Sequence, residues 1–506
     1  MAEVLLAHSF FLRNDPKQVE KMRPYAPLAT LYAASHLRAA GYGVALFDAM
    51  LAEGEEEFAA ALDRHLPRFV VLYEDSFNFL TKMCLEHARA AACRMSRAAR
   101  ERGATVIAAG SDLSDHPAPY FAAGVEYGLA GEADHTLREL LDTLTGRVSL
   151  PLESIPGLAL PDPRSPDGVR RTGHREPERR PDFFPFPAWD LLDAERYRAA
   201  WKAAHGYFSL NLVTTRGCPF HCNWCAKPIW GKRYAMRSPG NVAEEMALVK
   251  RTLAPDHVWF ADDIFGLQPR WVAELAVEIE ARGALIPFTI QSRADLMTPL
   301  AVEALARAGC REVWLGAESG SQRVLDAMDK GIRVEQTAQA TRRLRAVGIR
   351  ACWFLQFGFP GETFEDVLAT VEMVRECLPD DVGVSVSYPL PGTRFFELVE
   401  AELGEKTHWQ DSNDLAMMFQ GTYQTPFYRK LRQVVHRELE LRHRLARGEG
   451  EEALLGDLDR VAADWLELGR LEADARSAAP TVIGISAGSD GGSPALPAPD
   501  LSRAWN

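Results

Sequence analysis

The chain has 506 residues, 47% of them hydrophobic and 25% charged, which allows two or three domains with complete cores and excludes a disordered or fibrous protein. A net charge of -13 excludes the basic footprint that neutralises nucleic-acid phosphates, and leaves a small-molecule or lipid-like substrate as the expectation. No apolar run reaches the eighteen or so residues of a membrane span, and the start, MAEVLLAHSFF, lacks the basic segment and cleavage site of a signal peptide; the chain is therefore expected to be cytoplasmic and not transmembrane.

From residue 1 to 145 short apolar runs alternate with helical patterns. Strands are predicted over Glu3 to His8, Val44 to Phe47, Phe69 to Tyr73, Thr105 to Ala109 and Val125 to Leu129. Helices are predicted over Leu28 to Ala40, near Phe58 to His65, over Cys84 to Arg102 and over Glu132 to Thr145. This alternation predicts an α/β fold with a Rossmann-like, doubly wound parallel sheet, which binds ligands beyond its strand C-termini. The loops there carry Asp75 and Ser76 in YEDSFNF, Gly110, Ser111 and Asp112 after the fourth strand, and Gly131 and Glu132 after the fifth. No G-x-G-x-x-G follows the first strand, which argues against a dinucleotide. Residues 146 to 200, rich in proline and carrying HREPERRPD, read as a linker.

Between residues 201 and 392 strand and helix patterns alternate six times, predicting a partial (β/α)6 barrel whose chemistry sits at the strand C-termini. The strands fall near 209 to 216, 256 to 261, 287 to 293, 311 to 316, 350 to 358 and 382 to 388. The first ends in CPFHCNWC, which spaces Cys218, Cys222 and Cys225 as C-x3-C-x2-C. Iron-sulfur clusters usually take four thiolates. Three thiolates on one loop hold three irons of a 4Fe-4S cube and leave the fourth open to a ligand, as catalytic metal sites do. Zinc sites usually pair two C-x2-C knuckles or add histidines, which this loop does not. The remaining cysteines, Cys84, Cys93, Cys310, Cys352 and Cys377, read as core residues.

The other strand ends are polar as well. Asp262 and Asp263 follow the second, as mouth ligands or as a cap for the next helix. Thr289, Gln291 and Arg293 share one face of the third, with Arg293 either clamping a carboxylate or forming a structural ion pair. The fourth ends in GAESGSQ with Glu318 and Ser319, and the fifth in FGFPGET, where Gly358 and Gly361 permit close backbone approach or simply a turn. Four aromatics, Tyr207, Trp224, Trp353 and Tyr388, are placed near the mouth, where they would suit an apolar substrate. Residues 393 to 476 read as a charged helical region, and 477 to 506, rich in Ala, Pro, Gly and Ser, as a disordered tail.

On the cysteine loop this chain resembles the radical S-adenosylmethionine (SAM) superfamily. With PYAPLATLYAASHLRAAGYGVALFD, VIAAGSDLSDHP and YGLAGEADHTLRELL upstream, it resembles the cobalamin-dependent members, over residues 1 to 395. The resemblance implies a 4Fe-4S cluster on Cys218, Cys222 and Cys225, and SAM contacts from Gln291, Arg293, Glu318, Ser319 and Gly358. It also implies a cobalamin-binding domain over 1 to 145 with contacts from Asp75, Ser76, Gly110, Ser111, Gly131 and Glu132. No D-x-H-x-x-G supplies a lower axial histidine. The implied activity is methyl transfer to an unactivated carbon, fed by an external flavodoxin- or ferredoxin-type electron donor. A non-methylating cyclase or rearrangement enzyme of the same architecture, and a non-catalytic cobalamin or cluster sensor, stay open as alternatives. A methylthiotransferase is disfavoured, because that family carries an additional N-terminal cysteine triad and here Cys84 and Cys93 stand alone.

Overall fold

The structure, a computed structural model, describes residues 2–78, 85–227, 229–403, 409 and 415–478. Cys84 and all but the first two residues of the expected tail lie outside the described residues.

The N-terminal sheet contains β1 (Val4–Ala7), β2 (Val44–Phe47), β3 (Phe69–Tyr73), β4 (Thr105–Ala109), β5 (Tyr127–Leu129), β6 (Leu158–Pro161) and β7 (Val169–Arg171), in the order β2-β1-β3-β4-β5-β6-β7. Its first five strands are parallel. Alternation splits each strand between two cores. Leu5, Val70, Leu72 and Val106 pack under the helices Glu55–His65 and Glu86–Glu101, while Val4, Leu6, Val71 and Ile107 pack under Leu28–Ala39 and Asp134–Leu144. The strand order reverses between β1 and β3, so the crevice for a ligand lies beyond their C-terminal ends.

The expected linker departs from expectation. Its β6 and β7 pair antiparallel along the β5 edge. Pairing Gly128 with Ala159 and Leu129 with Leu158 covers an edge that would otherwise expose unpaired backbone. Short strands of two or three ladder bonds leave little periodicity to read.

In the barrel, β8 (Ser209–Leu212) is followed by a two-stranded ribbon of β9 (Thr215–Arg216) and β10 (Ala235–Met236). Then come β11 (His257–Phe260), β12 (Phe288–Ser292), β13 (Cys310–Glu318), β14 (Arg350–Phe357) and β15 (Asp381–Val386). All ladder contacts among β8, β11, β12, β13, β14 and β15 are parallel, in that spatial order, and β15 does not pair with β8. The barrel is therefore open along one seam. Helix starts follow local rules: Ser238, Thr298 and Thr363 each cap with their side chains, the first two followed by proline at the first helical position.

The seam is spanned by the N-terminal domain. Ala26 exchanges two hydrogen bonds with the side chain of Asn211 on β8, at 2.8 and 2.9 Å. The Trp201 indole donates to the Pro24 carbonyl at 2.9 Å, and Tyr25 sets its ring edge-on to Trp259 of β11. Lys21, at the other end of this segment, feels the charges of Asp381 at the start of β15 and of Arg432 in the helix Thr425–Ala446.

Candidate active site

The cysteine loop is held at its base, at its middle and from beneath. At the base, Arg216 pairs with Ala235 and Thr215 with Met236, closing the loop with an antiparallel ribbon. Gly217, at φ +80, is required there. A Cβ would run into the carbonyl of Arg233 and lie 3.1 Å from the Trp230 Cβ. In the middle, the Asn223 side chain donates to the Ala327 carbonyl at 2.7 Å, its backbone N–H to Met328 at 3.1 Å, and its carbonyl accepts from Phe395 at 3.0 Å. Beneath, Asp262 accepts from the backbone N–H groups of Thr214 and Thr215 at 2.7 and 2.9 Å and from the Thr214 hydroxyl. Asp262 is fully buried, and burial pushes its carboxyl up to about 6. It is neither an open mouth ligand nor a helix cap; the following helix, Pro269–Ala281, starts after Gln268.

Cys218, Cys222 and Cys225 are free and partly buried on this loop. Burial pushes the Cys225 thiol up to about 12 and raises Cys218, while Lys227 works in the opposite sense on both. Three soft donors with a cation beside them match a thiolate-bound iron-sulfur centre, in which the metal deprotonates the thiols outright. Among the described residues no three such side chains are drawn together at metal-holding distance.

Above the loop, the residues expected to meet SAM are already partnered. Arg293 is buried, bonds Asp295 at 3.0 Å and the Lys330 carbonyl at 2.8 Å, and stacks its guanidinium 3.7 Å from the ring of Phe220 inside the cysteine motif. The structural ion pair thus describes it, and its contact with the loop makes it a brace. Gln291 donates to the Asp262 carbonyl. Glu318, at φ +61 beside a register shift in β13, accepts from the buried Lys330 ammonium at 2.6 Å. Gly316 leaves room for that pair, since a Cβ there would lie 2.7 Å from both charged ends. Ser319 turns away to Thr370 of the helix Phe364–Cys377, at 3.1 Å. Gly358, at φ +76, donates to Glu362 at 2.6 Å and packs under Met417 and Tyr428.

Of the four expected mouth aromatics, Tyr388 lies past β15 and packs on Trp409, and Trp224 lies on the cysteine loop. Tyr207 precedes β8 and sits with Trp201 and His257 at the opposite end of the barrel, and Trp353 is a core residue whose indole donates to Thr341. Strand alternation sends Trp353 under the helices, a parity the apolar run around it concealed.

The N-terminal domain meets this loop across a narrow cleft lined by Ser76, Gly110, Gly131 and Glu132 on one side and Arg216, Ile229 and Trp230 on the other. Asp75 does not reach into it. Its carboxylate accepts from Ala29 and Phe77, anchoring the start of the helix Leu28–Ala39, and burial pushes it up to about 6. Ser111 lies outside the lining, and its buried Oγ has no hydrogen-bond partner. Glu132 lines the cleft, but its carboxylate is held by Arg216, by the Trp230 indole at 3.2 Å and by the Glu178 N–H at 2.6 Å. Gly131 at φ +73 keeps the cleft edge bare, its Cβ position 3.6 Å from the Ile229 carbonyl, while Gly110 at φ +146 makes room for Glu74, 2.8 Å from where a Cβ would lie. Rings of Phe77 and Trp230 stack across the cleft at 5.0 Å. Sequence reading missed the network of His8, Asp48 and Tyr197 beside the crevice, because its members are 40 and 149 residues apart. Burial lowers the His8 pKa, but Asp48 outweighs it and holds the imidazole above its ordinary value.

Residues 212–374 match the family model of the radical SAM superfamily. The chain is 31% identical over 269 residues to an uncharacterized methyltransferase of Pyrococcus horikoshii, covering 53% of this chain and 56% of that one. It is 26% identical over 340 residues to the bacteriochlorophyllide d C-8(2)-methyltransferase of Chlorobaculum tepidum, covering 65% of this chain and 69% of the other. Among solved structures, the radical SAM methyltransferase TsrM from Kitasatospora setae, with cobalamin and a 4Fe-4S cluster bound, superposes with a TM-score of 0.65 at 21% identity, over 80% of this chain and 79% of the other. That likeness establishes the α/β fold: a doubly wound domain, a partial barrel and a helical C-terminal region.

Proposed function

We propose that this chain, whose residues 212–374 match the radical SAM superfamily, is a cobalamin-dependent enzyme that transfers a methyl group to an unactivated carbon of a small-molecule substrate. The observation that carries this reading is the shared cleft. The strand-end loops of the doubly wound sheet and the stem of the three-cysteine loop line one space, so groups held by each would face one another. When bound, a 4Fe-4S cluster with SAM supplies the electron and the 5'-deoxyadenosyl radical, and cobalamin supplies a transferable methyl group.

The chain's own residues position and shield. Cys218, Cys222 and Cys225 would hold three irons, on a loop whose backbone is fixed by Asn223, Asp262 and Gly217. Lys330 neutralises Glu318 beside Cys222, whose charge Lys330 also feels. Gly358, backed by Glu362 and covered by Met417 and Tyr428, permits the turn at the end of β14. On the other side Gly131 would admit the corrin and its tail, and the Ser111 hydroxyl is a buried donor still to be satisfied.

The test is anaerobic reconstitution followed by product analysis with SAM carrying a labelled methyl group. Label in the product together with 5'-deoxyadenosine is expected. 5'-deoxyadenosine without label would overturn methyl transfer and leave radical chemistry standing, and formation of neither would overturn the enzyme reading altogether.

A further inference from the structure

Strand alternation sorts the barrel side chains into two sets. Val258, Ile290, Leu315 and Leu355 are fully buried beneath the helices. The intervening set faces the concave side. There Trp259, Gln291, Gly316, Phe354 and Gly383 remain partly exposed, where a closed barrel would be filled by packed layers.

What this lumen presents is flat and apolar at mid-height. Trp314 and Phe354 stack at 4.8 Å and 27°, Trp314 buried behind the partly exposed ring of Phe354. The Trp314 indole N–H is satisfied by Glu312 at 2.8 Å, so the slab offers ring faces and edges rather than a donor. Gly383 lets the two rings lie close over β15, since a Cβ there would come within 3.2 Å of Phe354 and 3.5 Å of Trp314. Among the described residues, the charged pairs of these strands lie below and above this level. Glu312 binds Arg350 at the floor, while Glu318 binds Lys330 and Arg293 binds Asp295 at the rim. The floor is also polar and shut, with Ser209 and Thr289 hydrogen-bonded to either side of His257 at 2.8 and 3.0 Å, and the segment carrying Tyr25 and Ala26 across the seam. A long acyl chain needs a continuous apolar tunnel, which this floor does not continue.

We infer that the substrate is a compact planar ring, aromatic or heteroaromatic and uncharged, seated against Trp314 and Phe354. This rests on the proposed function, since it takes the lumen as the place of the reacting carbon, but it is tested by binding alone. Quinoline and 1-octanol are compared by calorimetry on the full chain without cluster or SAM. An unselective apolar cavity favours octanol; a stacking slab makes quinoline the tighter ligand by about tenfold.

Trp314→Ala and Phe354→Ala are each expected to weaken quinoline by about tenfold, and Trp314→Phe to restore it to within about threefold, with folding checked by circular dichroism. Octanol binding as tightly as quinoline, quinoline binding indifferent to both alanine variants, or no quinoline bound to folded protein at about 1 mM would overturn the inference. A chain that binds quinoline but makes no 5'-deoxyadenosine keeps this inference and loses the proposed function. One that makes it yet prefers octanol does the reverse.

Discussion

Glu362 is a buried carboxylate with only one of its oxygens hydrogen-bonded. Its Oε2 accepts from Gly358, its Oε1 has no partner, and the equally unpartnered hydroxyl of Tyr428 is among the groups that feel its charge. Burial pushes its pKa from 4.5 up to about 8, with Asp366 adding to the rise and Arg323 opposing it. An acid whose folded pKa is raised loses stability as pH climbs from the unfolded value through the folded one. Apparent melting temperature should therefore fall from pH 5 to 9 more in the native chain than in Glu362→Gln, the two converging at pH 5. A constant gap at all pH values would mean that Glu362 is charged throughout. At the cysteines, changing any of Cys218, Cys222 or Cys225 to Ala should abolish the cluster absorbance and SAM cleavage, since two thiolates do not hold a cube with one open iron. Retention of hydroxocobalamin after gel filtration should survive, which separates the two cofactor assignments. The donors were legible in the sequence because all three lie within eight residues, CPFHCNWC. The fate of Arg293 was not, because Asp295 could be read beside it but the Phe220 ring and the Lys330 carbonyl come from other strands' loops.

At the scale of single elements, the cysteine loop depends on its ribbon more than on its own residues. Gly217→Ala combines a left-handed backbone with a clash against the Arg233 carbonyl, which cannot retreat without breaking the β9–β10 pairing. The strain alone costs about 1–2 kcal/mol. Iron incorporated on reconstitution should drop severalfold while the far-UV spectrum stays unchanged; iron content equal to the native chain would mean the ribbon does not set the loop. Gly131→Val should block corrin uptake, but its Cβ faces the Ile229 carbonyl, so a modest change in the cluster spectrum is expected with it, unlike a substitution confined to one domain. Long parallel strands such as Phe69–Tyr73, Thr105–Ala109 and Arg350–Phe357 were readable within a residue, as apolar runs bounded by turn signals. The β9–β10 ribbon and the β6–β7 pair were not, being two to four residues long and defined by their partners.

Across the whole molecule, a buried cation ties the two halves together. Arg216 is buried against Glu132 and Asp134 of the N-terminal domain and lies 4.0 Å over the ring of Phe184. Replacing it by Met leaves two carboxylates buried without their cation, a loss of about 3–5 kcal/mol. Urea denaturation should show that loss in Arg216→Met and a substantial recovery in the triple variant Arg216→Met, Glu132→Gln, Asp134→Asn; no recovery would mean that packing, not charge, sets the junction. The segment across the barrel seam carries a further consequence, for how the chain is made and inherited. Asn211 finds its partner 185 residues upstream, so the filler of the seam leaves the ribosome long before the strands that need it. Synthesis in this order lets β8 dock onto a surface already folded. A gene fusion that moved the barrel alone would strip Asn211 and Trp259 of the segment that covers them, so the two halves are expected to travel through evolution as one heritable unit.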